Sequence, residues 1–236
     1  MAQINEKLLS EISEAAVKLD WEESFDGKSY GNRHLFRVNK IANFLQEKEG
    51  GDRFIVLAGA WVHDVSLVLG NDDDPDKIFS ETKKFLSEFE FDENIKVKIA
   101  KAVSTHENAK AATIESQIIH DADVLDKLGI LGFIRHVWKV TNMIKGQIVK
   151  DEEDFRTIIN HIKERKNNLH TKTAKLLADE LNESLDSIEK NSNHLDFLKN
   201  ISEMAYSGKT TEQICEKLDD FQSLVSWQLN QDYLLT

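Results

Sequence analysis

One proline and one cysteine occur in 236 residues, with only ten glycines. So few helix breakers favour long helices over a turn-rich β fold. The lone Cys215 excludes an intramolecular disulfide and a multi-cysteine zinc site. Packing is its plainer use. Also missing is any uncharged apolar run of about 18 residues, so no membrane span is expected. The start, Met1-Ala2-Gln3-Ile4-Asn5-Glu6-Lys7, lacks the basic stretch and apolar run of a signal peptide, which leaves the cytoplasm as the expected compartment. Positive charge is in deficit, with 30 Lys+Arg against 42 Asp+Glu and a net charge of −12. A field of that sign repels a phosphate backbone, so no nucleic-acid polymer is expected as a partner. A small phosphorylated substrate stays compatible, because a divalent cation and a few local Lys or Arg side chains can reverse the sign inside a pocket.

What is there reads as a globular, all-α chain: 40% of residues are hydrophobic and 31% charged. Apolar residues recur at helical spacing. Residues 3–19 carry a stripe of Ile4, Leu8, Leu9, Ile12, Ala15, Ala16 and Leu19. A polar break from Glu22 to Gly31 precedes a second helix over 32–48, ended by Gly50-Gly51. A third helix over 52–66, with Asp52 as N-cap, is apolar nearly all round from Phe54 to Val62 and belongs in the middle of the core. Asp74-Pro75 suits the start of a helix over 75–89. Further helices are expected at 92–105, 113–127, 130–146, 151–166, 170–190, 193–206 and 210–231, with Asp151, Thr171 and Thr210 or Thr211 as starts. One domain over 1–190 is expected, with a helical appendage over 191–236. Its apolar residues Leu195, Phe197, Leu198, Ile201, Met204 and Ala205 would pack onto the domain or serve a partner, a second copy of the chain included.

Chemistry is expected where the apolar pattern breaks. His63 and Asp64 lie near the end of the most buried helix, where a charged carboxylate beside an imidazole costs on the order of several kcal/mol unless compensated. A divalent cation compensates both. His34 lies 29 residues before His63, and Asp123 lies 59 residues after Asp64 within Ile118-Ile119-His120-Asp121-Ala122-Asp123-Val124-Leu125-Asp126. Two imidazoles and two carboxylates could then meet from three helices around one metal ion. Such N/O ligation suits Mn, Fe, Co, Ni or Zn, with Mg admissible. Spacing alone does not separate Asp121 from Asp123 as the last ligand. Asp126, three residues on, shares the face of Asp123 and could support the ligands from behind.

Three segments carry a family resemblance: Arg33-His34-Leu35-Phe36-Arg37-Val38, then Trp61-Val62-His63-Asp64-Val65, then Asp121-Ala122-Asp123-Val124-Leu125-Asp126-Lys127-Leu128-Gly129. In order and spacing they resemble the HD superfamily of metal-dependent phosphohydrolases. Ser104-Thr105-His106 is similar to a histidine motif of its small bacterial and archaeal members, and weaker similarity runs on through Thr171-Lys172-Thr173-Ala174. The resemblance covers about 30–190. It implies a helical HD-domain bundle with His34, His63, Asp64 and Asp123 as metal ligands, Asp123 being chosen because the family's ligand follows an alanine. It also makes Arg33, Asp126 and Lys127 candidates to support the ligands or touch substrate. Arg135 could likewise meet a phosphate, although solvent exposure is the plainer reading of Lys127 and Arg135.

Many phosphatase members carry an acid three positions after the HD aspartate, where this chain has Leu67. Besides Asp64, catalysis would then draw on His106 or on the Asp72-Asp73-Asp74 run, Asp72 first. The plainer readings are a helix-capping His106 and a solvated acidic loop. His120 reads more simply as packing, and His136, His161, His170 and His194 have no partner motif. The resemblance implies hydrolysis of a phosphomonoester or phosphoanhydride in a small metabolite, a nucleotide first. Alternatives are a non-catalytic metal- and nucleotide-binding regulatory module, a cyclic-nucleotide phosphodiesterase or a di-iron oxygenase. The oxygenase needs two more imidazoles between 64 and 123, where only His106 and His120 stand. The phosphodiesterase lacks an evident second set of histidines.

Overall fold

Helix starts coincide with capping side chains. Asp52 accepts hydrogen bonds from the backbone of Phe54 (3.0 Å) and Ile55 (3.2 Å), and Asp74 from Asp76 (3.0 Å). Thr113, Asp151 and Thr210 form capping boxes, and Thr171 accepts from Ala174. The structure, a computed structural model, describes residues 6–68, 70, 74–105, 111–143, 149, 151–190 and 192–218. Its helices are α1 (Glu6–Glu23), α2 (His34–Glu49), α3 (Arg53–Val62), α4 (Val65–Val68), α5 (Pro75–Leu86) and α6 (Glu93–Ser104). They continue with α7 (Ile114–Asp126), α8 (Gly129–Met143), α9 (Glu152–Arg165), α10 (Lys172–Glu189), α11 (His194–Tyr206) and α12 (Thr211–Lys217). A short 3-10 turn, Lys166–Asn168, precedes α10. The fold is all-α, with no strand among the described residues.

Two apolar clusters meet at α3 and α7. Val56 and Ala60 of α3 join Ile118, Ala122 and Leu125 of α7 in a cluster with α2, α8, α9 and α10. Ile55, Leu57, Ala58 and Val62 face a second cluster built from α1, α5 and α6. A helix apolar on all sides can serve two cores at once, which is why α3 sits in the middle. Gly59 makes the α3–α7 crossing close: a Cβ there would stand 2.4 Å from Ile119 Cδ1.

Two helix expectations are adjusted. The helix expected over 52–66 breaks after Val62 and resumes at Val65. At the break the His63 ring donates to Ala60 O at 2.9 Å, competing for a helix carbonyl. Of the two uses expected for the appendage over 191–236, its described part shows packing onto the domain, because Phe197, Leu198, Ile201, Ala205, Ile214 and Cys215 belong to the same cluster as α8. The helix expected over 210–231 ends at Lys217; residues 219–236 lie outside the described residues.

Candidate metal centre and its cavity

His34 opens α2, His63 and Asp64 occupy the α3–α4 break, and Asp123 sits in the last turn of α7. His63 Nδ1 is tied to Ala60 O, which turns Nε2 inward. That nitrogen lies 3.3 Å from Asp64 Oδ1 and 3.6 Å from Asp123 Oδ1. His34 Nε2 lies 3.3 Å from both Asp64 Oδ2 and Asp123 Oδ1, while its Nδ1 meets Asp126 Oδ2 at 2.8 Å. His34, His63 and Asp123 each offer one ligand atom within 4.8 Å of the others, and could hold a metal ion. The donor set fits one. Each imidazole is oriented through Nδ1 so that Nε2 points at the centre, and among the described residues the buried Asp123 Oδ1 accepts no hydrogen bond.

The electrostatics favour positive charge at the cluster. Burial and the charge of Arg135 work to lower the pKa of His34, but Asp123, Asp126 and Asp64 overcome them and raise it to about 9. Burial raises the carboxyl of Asp64, yet the imidazoles of His63 and His34 outweigh it and hold the group far below the usual carboxylate range. Asp123 is likewise held low against burial, by Lys127 and the two imidazoles. These shifts all favour positive charge among the four side chains, as a divalent ion would supply.

Behind the His/Asp cluster lies a charge network centred on Asp126, which is 1% exposed. Asp126 accepts from Arg37 Nε at 2.6 Å, Arg37 Nη2 at 3.3 Å, Arg135 Nη1 at 2.7 Å and His34 Nδ1 at 2.8 Å. Burial would raise its carboxyl; Arg37, Arg135 and His34 hold it low instead. Arg37 also pairs with Glu212 of α12, whose Oε1 accepts from Arg33 N at 3.0 Å. Lys127 Nζ pairs with Asp123 Oδ2.

Asp121, two residues from Asp123, faces away. Its Oδ1 accepts from His170 N at 2.9 Å and its Oδ2 from Thr171 N at 2.7 Å, so both oxygens secure the start of α10. Two residues along a helix are about 200° apart, so the two aspartates serve opposite faces.

The cluster opens into a cavity lined by His34 and Asp64, with five cationic side chains, Arg37, Lys127, Arg135, Lys139 and Arg165, and with His136. These cations crowd one another. Burial, then His161, Arg165 and Lys139, lower the pKa of His136 to about 4. Burial, then Lys127, lower that of Lys139. A bound anion would relieve the repulsion. Phe25 and Trp138, packed edge to face with ring centroids 5.2 Å apart, also line the cavity, as do Leu67 and Thr211.

Of the residues singled out in the sequence, His34, His63, Asp64 and Asp123 come together, with Asp126 and Lys127 against them. Arg33 does not join them: its guanidinium lies over the Phe36 ring, 5.2 Å from the centroid. Arg37, one turn on, turns inward instead. Lys127 and Arg135, read more plainly as solvent-exposed, are partly buried at the site. Asp72 and His106 lie outside the described residues. Sequence reasoning passed over Arg37, Glu212 and Asp20. A charged residue inside the apolar stripe of α2 was the available signal for Arg37; nothing local marked the other two.

An all-α domain with a buried His/Asp cluster able to hold a metal ion defines the class of protein. Residues 32–128 match the family described as HD domain. The uncharacterized protein YpgQ of Bacillus subtilis is 25% identical over 185 residues, covering 73% of this chain and 88% of the relative. The solved structure of YpgQ in complex with ADP has a TM-score of 0.61 at 23% identity, covering 80% of this chain and 97% of that one. An HD-superfamily hydrolase from Bacillus thuringiensis has a TM-score of 0.62 at 22% identity, covering 82% and 99%. Residues 32–128 are thus similar to an HD domain, and the chain shares its fold with these solved structures. The HD-domain match and the His/Asp cluster support a metal-dependent hydrolase as its kind. No helix among the described residues is long and apolar enough to cross a membrane.

Proposed function

We propose that this chain is a cytoplasmic, metal-dependent phosphohydrolase that cleaves a phosphomonoester or phosphoanhydride bond in a small metabolite, with a nucleotide as the substrate class. The observation that carries the reading is the junction of two features in one cavity. A His/Asp cluster suited to a divalent cation adjoins a lining of five Lys and Arg side chains, in a chain of net charge −12. The ADP bound by YpgQ supports a nucleotide.

In this reading His34, His63, Asp64 and Asp123 hold one divalent ion (Mn, Fe, Co, Ni or Zn, with Mg admissible). When bound, that ion supplies charge stabilisation at a phosphoryl oxygen and makes a water more acidic. Asp126 keeps the His34 ring in the orientation that offers Nε2. Lys127, Arg135 and Arg165 bind phosphate oxygens, and Arg135 suits them through its planar fork.

The test is chelation of the purified protein, reloading with Mn, Co, Ni, Zn or Mg, and measurement of phosphate and pyrophosphate released from nucleoside mono-, di- and triphosphates. Turnover should vanish on chelation, return with metal, and be absent in a folded His63→Ala variant. A fully active His63→Ala protein would refute the assignment. Leu67 on the cavity wall favours one second reading, a non-catalytic metal- and nucleotide-binding module. Tight ADP binding without turnover in every metal would establish that reading instead.

A further inference from the structure

Among the described residues lining the cavity, only two are carboxylates: Asp64 and Asp20. Asp64 is committed, with an imidazole nitrogen 3.3 Å from each of its oxygens. Leu67, one turn beyond it, presents an apolar side chain where many relatives place an acid. Asp20 stands in the last full turn of α1, a helix that contributes none of the family's motif residues. Its carboxylate is within electrostatic reach of Asp64, His34 and His63 and is hydrogen-bonded by Ser24, which lines the same cavity. The backbone there is held in place. Ser29 Oγ donates to Asp20 O at 2.5 Å, and Trp21 Nε1 donates to Asn32 O at 2.8 Å, joining this turn to the segment that leads into His34.

Resting on the phosphohydrolase reading, we propose that Asp20 is the catalytic base of this site, taking the place of the acid missing at position 67. In the step it serves, a water gives a proton to an Asp20 Oδ while its oxygen forms a bond to phosphorus. The bond from phosphorus to the leaving oxygen breaks, and that oxygen departs with the electron pair. Asp20 suits this work because it is not drawn into the ligand cluster. Partial burial also makes its carboxyl a stronger base than a solvated one. Supplying the base from α1 rather than α4 leaves the wall at Leu67 apolar.

The experiment uses the full chain loaded with Mn and two substrates, ADP and 4-nitrophenyl phosphate. The second has a leaving group that needs no proton, so it separates loss of a base from loss of an acid. Asp20→Asn should lower kcat on both substrates by roughly 100- to 10,000-fold. Its metal content should equal that of wild type, and its dissociation constant for ADP should stay within about threefold. Asp20→Ala should regain activity in proportion to added formate, and Asp20→Glu should keep part of it, which a packing role would not produce. A kcat of Asp20→Asn within threefold of wild type overturns the proposal. So does a loss confined to ADP, or a loss matched by missing metal. Wild-type protein inactive on both substrates would instead bring down the phosphohydrolase reading on which Asp20 depends.

Discussion

Replacing Asp126 with asparagine changes one atom's chemistry at a buried junction of three cationic side chains. Arg37 Nε at 2.6 Å, Arg135 Nη1 at 2.7 Å and His34 Nδ1 at 2.8 Å all converge on this carboxylate. Arg37 is itself only 4% exposed, so the substitution strands a charge in the interior. Removing one partner of a buried ion pair costs about 3–5 kcal/mol. Glu212 retains one contact to Arg37, and an asparagine oxygen still accepts one hydrogen bond, which places the expected loss near ~3 kcal/mol. For a chain of this length that is a fall in Tm of about 6–12 °C. The same substitution removes the charge that orients His34, and metal affinity should fall about 10- to 100-fold. Thermal unfolding of the chelated protein measures the first effect. Competition with a chromophoric chelator for Mn or Zn measures the second. A Tm within 2 °C of wild type together with unchanged metal affinity would refute the placement of Asp126 as the hub of the network.

Asp121→Asn and Asp123→Asn should separate cleanly by elemental analysis: the first keeps its metal and loses about 1–3 kcal/mol from the cap on α10, whereas the second loses the metal. Equal metal loss in both would contradict the opposite facing of the two side chains. In chelated protein, the folded pKa of His34, raised to about 9 from 6.5, makes its stabilising contribution complete below pH 6.5 and lost as pH rises through 9. The stability gap between wild type and His34→Gln should therefore shrink by on the order of 3 kcal/mol over that window, and a gap constant with pH would count against it. Over the same range the metal must displace that proton, so apparent affinity should climb with pH and binding should release protons into a weakly buffered solution. Gly132→Ala should cost about 3 kcal/mol, because its Cβ would lie 2.2 Å from the backbone oxygen of Lys127. Gly59→Ala should cost less, about 1–2 kcal/mol, since Ile119 Cδ1 is the end of a side chain that can turn aside. Urea unfolding gives the order, and the reverse order would refute it.

Much of the helical architecture was legible in the sequence because its causes are local. Asp52, Asp74, Asp151, Thr171 and Thr210 each satisfy backbone donors two or three residues ahead, and such pairs can be read without any knowledge of the fold. The central position of α3 followed from its lack of a polar face. The order of His34, His63, Asp64 and Asp123 along the chain, matched to a family pattern, pointed to one site before any distance was known.

Other features depended on contacts between distant segments. Asp121 and Asp123 are alike in sequence, and what separates them is that α10 begins beside one face of α7 and the imidazoles stand beside the other. Arg37 rather than Arg33 reaches the charge network because one turn of α2 carries it into the core. Asp20 and Glu212, near opposite ends of the described chain, reach one site only because α1 and α12 both bond to the segment that leads into α2, Trp21 and Thr211 to Asn32 and Glu212 to Arg33. The sequence by itself determined where helices begin and which of their faces are apolar, since those depend on neighbours within about one turn. Only the tertiary structure decided which charged groups share a buried volume, since Coulomb and hydrogen-bond energies in the interior depend on distances that local sequence does not encode.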